Sequence, residues 1–299
     1  MHATAPAADL LPVRVRGGLM AQALSYCAEQ VRRYDHGRFM TALFAPAPRR
    51  EDLWALYAFN LEIAKIRETV TEPMLGRIRL QWWRETLDGF ERGEVREHAV
   101  AAPLAETVRR HRLSAAQFAP LLEGREHDVE PEPPADLAAL EDYAAATSAT
   151  LVELALAVLE GAHPGARAAA RHVGIAHGLA GLLLAVPFRA AHGRVDLPQD
   201  LLDEAGLHAD RVKESRGDAR LARILRVIAL RATHHLGEAR HHRRQISRQA
   251  LPALLPAILA ERALKRLAAV GYDPFAAALG RPDGGLNLRL AWAAWRGRY

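Results

Sequence analysis

Between Glu160 and Asp196 the sequence contains no aspartate or glutamate. A Mg²⁺ site needs hard oxygen donors, usually carboxylates joined by phosphate oxygens and water, so this stretch has none to offer. The segment from Leu53 to Thr69 has no aspartate, and Lys65 and Arg67 stand in its acid-poor middle. Cysteine is nearly absent. The lone Cys27 excludes an intramolecular disulfide framework and a cysteine-based zinc site, and it fits a reducing compartment. Aromatics make up only 6% of the chain. No unbroken run of about 18 apolar residues marks a membrane-spanning helix. No alternating strand pattern, internal repeat or domain-splitting linker is found. Met1 to Leu19 lacks the order of a secretory signal, because Arg14 and Arg16 follow its weak apolar patch. Residues 1–19 read as a flexible tail ahead of one domain over 20–299.

What is present favours helix. Hydrophobic residues make up 50% of the 299, and alanine, leucine and arginine dominate. Helical periodicity predicts helices near 20–34, 50–70, 74–92, 99–112, 115–126, 136–160, 165–188, 218–247, 250–269 and 286–296. Breaks fall at Pro46-Ala47-Pro48, at Pro131-Glu132-Pro133-Pro134, at Gly161 to Gly165, and at the turn His192 to Pro198. A single all-α domain accounts for this pattern.

The formal charge is +5 and the pI about 9.7. A basic excess of this size suits an anionic membrane surface, a diphosphate or a nucleic acid alike. No nucleic-acid-binding motif accompanies it.

Several pieces, in order, resemble the squalene/phytoene synthase family from about Tyr34 to Phe275. They are Ala55-Leu56-Tyr57-Ala58-Phe59, Gln81-Trp82-Trp83-Arg84, Gly174 to Leu184, Gly193-Arg194-Val195-Asp196-Leu197-Pro198 and Tyr272-Asp273-Pro274-Phe275. The resemblance implies an all-helical isoprenoid-synthase fold with a central cavity. It also implies two aspartate-rich motifs facing each other across that cavity, whose Mg²⁺ ions neutralise a departing diphosphate. Here the first motif falls on Ala64-Lys65-Ile66-Arg67-Glu68, where Glu68 alone keeps an expected acid and Lys65 reverses a charge. The second falls on Ala185-Val186-Pro187-Phe188-Arg189, where Ala185 and Arg189 replace both acids. Pro187 is expected to end or bend its helix. Removing the carboxylates removes the ligands, and Lys65 and Arg189 repel Mg²⁺. No catalytic residue and no metal ligand is assigned, and Mg²⁺ enters only if the chain is active. Cations such as Lys65, Arg189 and Arg194 can instead contact an anion or a lipid headgroup.

Phe59-Asn60-Leu61-Glu62-Ile63-Ala64, Met74 to Trp83 and Val186-Pro187-Phe188 are similar to a degenerate branch of the family that serves respiratory complex I assembly. The resemblance implies a non-catalytic, membrane-peripheral protein with a complex I subunit, a prenyl lipid or a prenyl diphosphate as partner, and no nucleic acid. The alternative is an active head-to-head prenyl-diphosphate transferase. Without an arginine- and serine-rich transit peptide, the expected location is the bacterial cytoplasm, peripheral to the inner membrane.

Other features stay open between a bland and a functional reading. His234, His235, His241 and His242, with Glu238, have helical spacing. They can form a solvated face, an anion-binding face or a metal site, although the surrounding arginines disfavour a metal. His172 and His177 read as buried and satisfied. Glu62 can pair with Lys65 or Arg67. Of Trp82 and Trp83, one is expected in the core and the other on its flank. Leu251 to Ala260 is core, or a face lying on a membrane.

Overall fold

The computed structural model describes residues 24–70, 72–129, 132–159 and 164–299. The expected tail over residues 1–19 lies outside the described residues. All regular structure among the described residues is helical.

The chain opens with α1 (Tyr26–Tyr34) and α2 (His36–Ala42). Ser25 caps the first, its Oγ accepting from the Ala28 amide at 3.1 Å. Asp35 starts the second by accepting from the Arg38 amide at 3.0 Å. The periodicity did not predict α2, which is short, but its cap residue was there to be read. Next come α3 (Ala47–Thr69), α4 (Pro73–Glu91), α5 (Ala101–His111) and α6 (Ala115–Val129).

The predicted helix over 136–160 is interrupted. It divides into α7 (Leu137–Ala144), a π-helical turn (Ala145–Ala149) and α8 (Thr150–Leu159). Such a turn accommodates one extra residue in a helix. Here it lies against Gly174, where a Cβ would come within 2.2 Å of the Ala149 Cα.

The longest helix is α9 (Pro164–Ala191), followed by α10 (Gln199–Ala205) and α11 (Ala219–His241). The chain ends in α12 (Leu251–Leu254), α13 (Pro256–Ala269) and α14 (Leu286–Arg296). The predicted helix over 250–269 breaks at Leu255, ahead of Pro256. Leu251 to Leu255 are all buried, so this segment belongs to the core and not to a membrane face.

Pro187 does not end α9, which continues for one more turn. The missing amide falls close to the natural end of the helix, where few bonds remain to be lost. Beyond it Gly193 takes a φ of 71°, and the Arg194 amide donates to the Arg189 carbonyl at 2.9 Å.

Helix α9 forms the centre of one half, with α8, α11 and α13 packed around it. Helix α3 organises the other half, against α1, α5 and α8. Helix α8 packs on both, so it joins the halves. Trp83 is buried, and the partly exposed Trp82 meets it edge to face at 4.9 Å. Contrary to the sequence reading, two helical stretches are long and apolar enough to cross a membrane, Leu137–Leu159 and Pro164–Ala191. Their average hydropathy qualifies although no unbroken apolar run does. Both lie mostly inside the protein, with 67% and 56% of their most apolar windows buried.

Candidate functional site

The two motif segments occupy the C-terminal halves of α3 and α9. On α3, Ala64 is partly buried and Glu68 is exposed. The Lys65 ammonium sits 3.2 Å from the centre of the Tyr34 ring. Among the described residues no ion pair joins Glu62 to Lys65 or Arg67. On α9, Ala185 contributes no polar group, and Arg189 forms an ion pair with Asp196.

Arg194 occupies the turn beyond α9 and ties it to α6. Its Nε donates to Asp196 at 3.1 Å, and its Nη1 donates to the Asp128 carbonyl at 2.5 Å. The Asp128 carboxylate accepts from Arg125 at 2.9 Å and from the Tyr143 hydroxyl at 2.8 Å. Arg125 reaches on to Asn60 of α3 at 3.3 Å. One polar network therefore connects α3, α6, α7 and the turn after α9. Burial pushes the Asp128 carboxyl up, but Arg125, then Arg189 and Arg194, outweigh it and hold the group below its ordinary range. Burial lowers Arg194, opposed by Asp128 and assisted by the cations Arg189 and Arg67. Arg67 thus belongs to this region. Sequence reading noted its charge but not its place, because proximity to Arg194 depends on how α3 meets the later turn.

Space here is uneven. Beside Leu182, Val186, Arg189 and Asp196 only about 10 Å³ is open, room for about one water. Leu184 and Phe188 do not fill a cavity: they stand 41% and 53% exposed. A larger groove of about 640 Å³ opens between α6, α7 and the turn, lined by His127, Asp128, Pro133, Tyr143, Arg194 and Asp196. None of the motif residues of α3 lines it.

A second buried cluster joins α2 and α9. Arg38 donates to Asp35 at 2.6 Å and contacts the His177 Nδ1 at 3.3 Å. A guanidinium has no acceptor, so His177 must accept at Nδ1 and is neutral. Burial and then Arg38 depress its pKa well below the ordinary value. The folded state therefore resists a proton that the unfolded chain takes up near pH 6.5. Stability is complete above that pH and is lost as the pH falls below it. The urea midpoint should drop between pH 7 and pH 5, and His177→Gln, which keeps an acceptor for Arg38, should flatten that drop.

The histidine cluster of α11 does not gather as the spacing suggested. His235 turns inward, with its Nε2 2.6 Å from Glu141 and its Nδ1 2.8 Å from the Nδ1 of His172. His241 is exposed near Glu238 at 3.6 Å. Among the described residues no group of three or more His, Cys, Asp or Glu side chains could hold a metal ion.

The fold raises the question of Mg²⁺, and the donor set does not fit it. Glu68 is the only carboxylate at the motif positions. The nearby Asp128 and Asp196 already accept from arginines. Guanidinium groups stand where hard oxygens are required.

The fold is all-helical, and its two motif segments lie on α3 and α9. The chain belongs to the squalene/phytoene synthase family, whose sequence model matches residues 31–296. Solved structures share the fold. A dehydrosqualene synthase bound to a ligand superposes with a TM-score of 0.79 at 18% identity, covering 91% of this chain and 94% of the other. A squalene synthase from Alicyclobacillus acidocaldarius gives 0.73 at 20% identity, covering 83% and 94%.

By sequence the chain is homologous to NADH dehydrogenase (ubiquinone) complex I, assembly factor 6. Identity to the Bos taurus protein is 32% over 295 residues, spanning 98% of this chain and 89% of that one. Identity to the Homo sapiens protein is 30% over 274 residues, spanning 92% and 82%. Phytoene synthase 3, chloroplastic, of Zea mays is 26% identical, over 92% of this chain and 66% of its own length. The expected location in a bacterial cytoplasm is corrected by these matches, because the assembly factors are eukaryotic proteins.

Proposed function

We propose that this protein is a catalytically inactive member of the squalene/phytoene synthase family that acts in the assembly of respiratory complex I, peripheral to a membrane and in contact with a complex I subunit. The observation that carries this reading is the internal pairing of the former metal region. Arg189 pairs with Asp196, and Arg194 with Asp196 and Asp128, so guanidinium groups face these two carboxylates where a metal would otherwise sit. The similarity to assembly factor 6 over nearly the whole chain supports the same reading. In it Arg189 and Arg194 serve the scaffold, and Lys65, which lies over the Tyr34 ring and has no carboxylate partner among the described residues, is a cation open to an anion or a prenyl-lipid headgroup.

Expression of this chain in human cells lacking assembly factor 6 should restore complex I activity. Absence of rescue by a protein that is expressed and stable would argue against the assembly role. Purified protein given farnesyl or geranylgeranyl diphosphate should release no product, with or without Mg²⁺. Mg²⁺-dependent turnover would restore the transferase alternative.

A further inference from the structure

Helix α14 leaves its largest apolar side chains uncovered. Leu288, Trp292 and Trp295 are 76%, 54% and 70% exposed. Their spacing of four and three residues places them in one stripe. The inward side of the helix is held by Leu290 and Ala293, both buried. The two indoles lie 5.2 Å apart, and the Arg296 guanidinium sits 4.2 Å above the Trp292 ring. Between α14 and α13 lies a groove of about 220 Å³, lined by Trp292, Arg289, Arg296, Arg298, Arg262 and Lys265 among others. Arg262 is paired with Asp283, and Lys265 with Glu261. Among the described residues no carboxylate pairs with Arg289, Arg296 or Arg298.

We infer that the α14 face is a docking surface for an anionic lipid bilayer, with Trp292, Trp295 and Leu288 entering the interface and Arg289, Arg296 and Arg298 meeting lipid phosphates. Charge complementarity selects the occupant. A short amphipathic helix with tryptophans on one face and arginines on its flank fits the boundary between headgroups and acyl chains. A folded protein partner fits less well. Two indoles offering roughly 150–250 Å² each, with the smaller Leu288 beside them, fall short of the ~800 Å² that a stable interface takes from each partner. The location differs from the one the sequence suggested, since Leu251 to Leu255 are buried. This inference rests on the membrane-peripheral part of the proposed function. Vesicle binding and complex I rescue are separate measurements, so either can fail alone.

The test is co-sedimentation of the full chain with vesicles of phosphatidylcholine, and of phosphatidylcholine mixed equally with phosphatidylglycerol. The protein should sediment with the anionic vesicles and much less with the neutral ones. Trp292→Ala with Trp295→Ala should weaken binding by at least about tenfold. Arg289→Gln with Arg296→Gln should weaken it by about fivefold per arginine. Circular dichroism should show unchanged helix content in both variants, whose altered residues are exposed. Equal binding to both vesicle types, wild-type binding by the folded variants, or no vesicle binding at all would overturn the inference. So would displacement by inorganic phosphate beyond that caused by sodium chloride of equal ionic strength, which would identify a soluble phosphate as the occupant.

Discussion

Replacing Asp128 with alanine should destabilise the protein by about 3–5 kcal/mol, the loss expected when one member of a buried ion pair is removed and the other charge remains. Asp128 is 6% exposed, and it accepts from Arg125 and Tyr143 while Arg194 lies within 3.6 Å. Its removal leaves the Arg125 charge without a carboxylate, facing the neutral Tyr143 hydroxyl at 3.0 Å and the amide oxygen of Asn60 at 3.3 Å. Urea titration followed by circular dichroism measures the loss. The companion experiment replaces both charges, with Asp128→Leu and Arg125→Met. If stranded charge is the cause, the double variant should be more stable than Asp128→Ala alone. The same carboxylate has a pH signature. Its folded pKa lies below the ordinary value, so its contribution is present above about pH 3.9 and is lost as the pH falls through the folded value. Asp128→Asn should remove that acid limb and leave the slope attributed to His177, which lies at higher pH.

Gly174→Ala should cost about 3 kcal/mol, at the upper end of what overpacking one methyl does. The new Cβ would lie 2.2 Å from the Ala149 Cα and 2.7 Å from its amide nitrogen. Both are backbone atoms of the π-helical turn, so no side chain can swing aside. Separating α9 from that turn would disturb the seam between α8 and α9 along its length. Gly181 is the control on the same helix. A Cβ there meets nothing within 4 Å, and Gly181→Ala should stabilise the protein by up to about 1 kcal/mol through helix preference. Opposite signs for two Gly→Ala changes seven residues apart would establish that contact, and not propensity, governs position 174. If Gly174→Ala proved as stable as wild type, the close approach of the two backbones would be wrong.

The helices were legible because their stabilising patterns are local. The apolar repeat of α3 and α9, the prolines between segments and the composition all act within one or two turns. Departures arose where a distant partner decides. Nothing near Ala145 signals a π-helical turn, and the Gly174 backbone that packs against it is distant in sequence. Pro187 looked like a terminator because sequence shows the missing amide but not that the helix is about to end. At the site, the missing acids of the two motifs could be read directly. That Arg189 meets Asp196, and Arg194 meets Asp128, could not. These pairings depend on how the turn after α9 folds back onto α6. The exposed stripe of α14 was readable as helix, but its periodicity alone does not say which face is left uncovered.

The Arg189–Asp196 pair makes the loss of metal chemistry difficult to reverse one residue at a time. Returning an aspartate to position 189 would remove the cation that Asp196 relies on and set two carboxylates toward each other in a space of about 10 Å³. Like charges in so confined a space repel until a metal arrives, and a metal would still lack its ligands on α3. Each single step back toward an enzyme therefore passes through a less stable protein. Under the proposed function the pairing acts as a ratchet, because it favours a role that needs the shape of the fold and not its reaction.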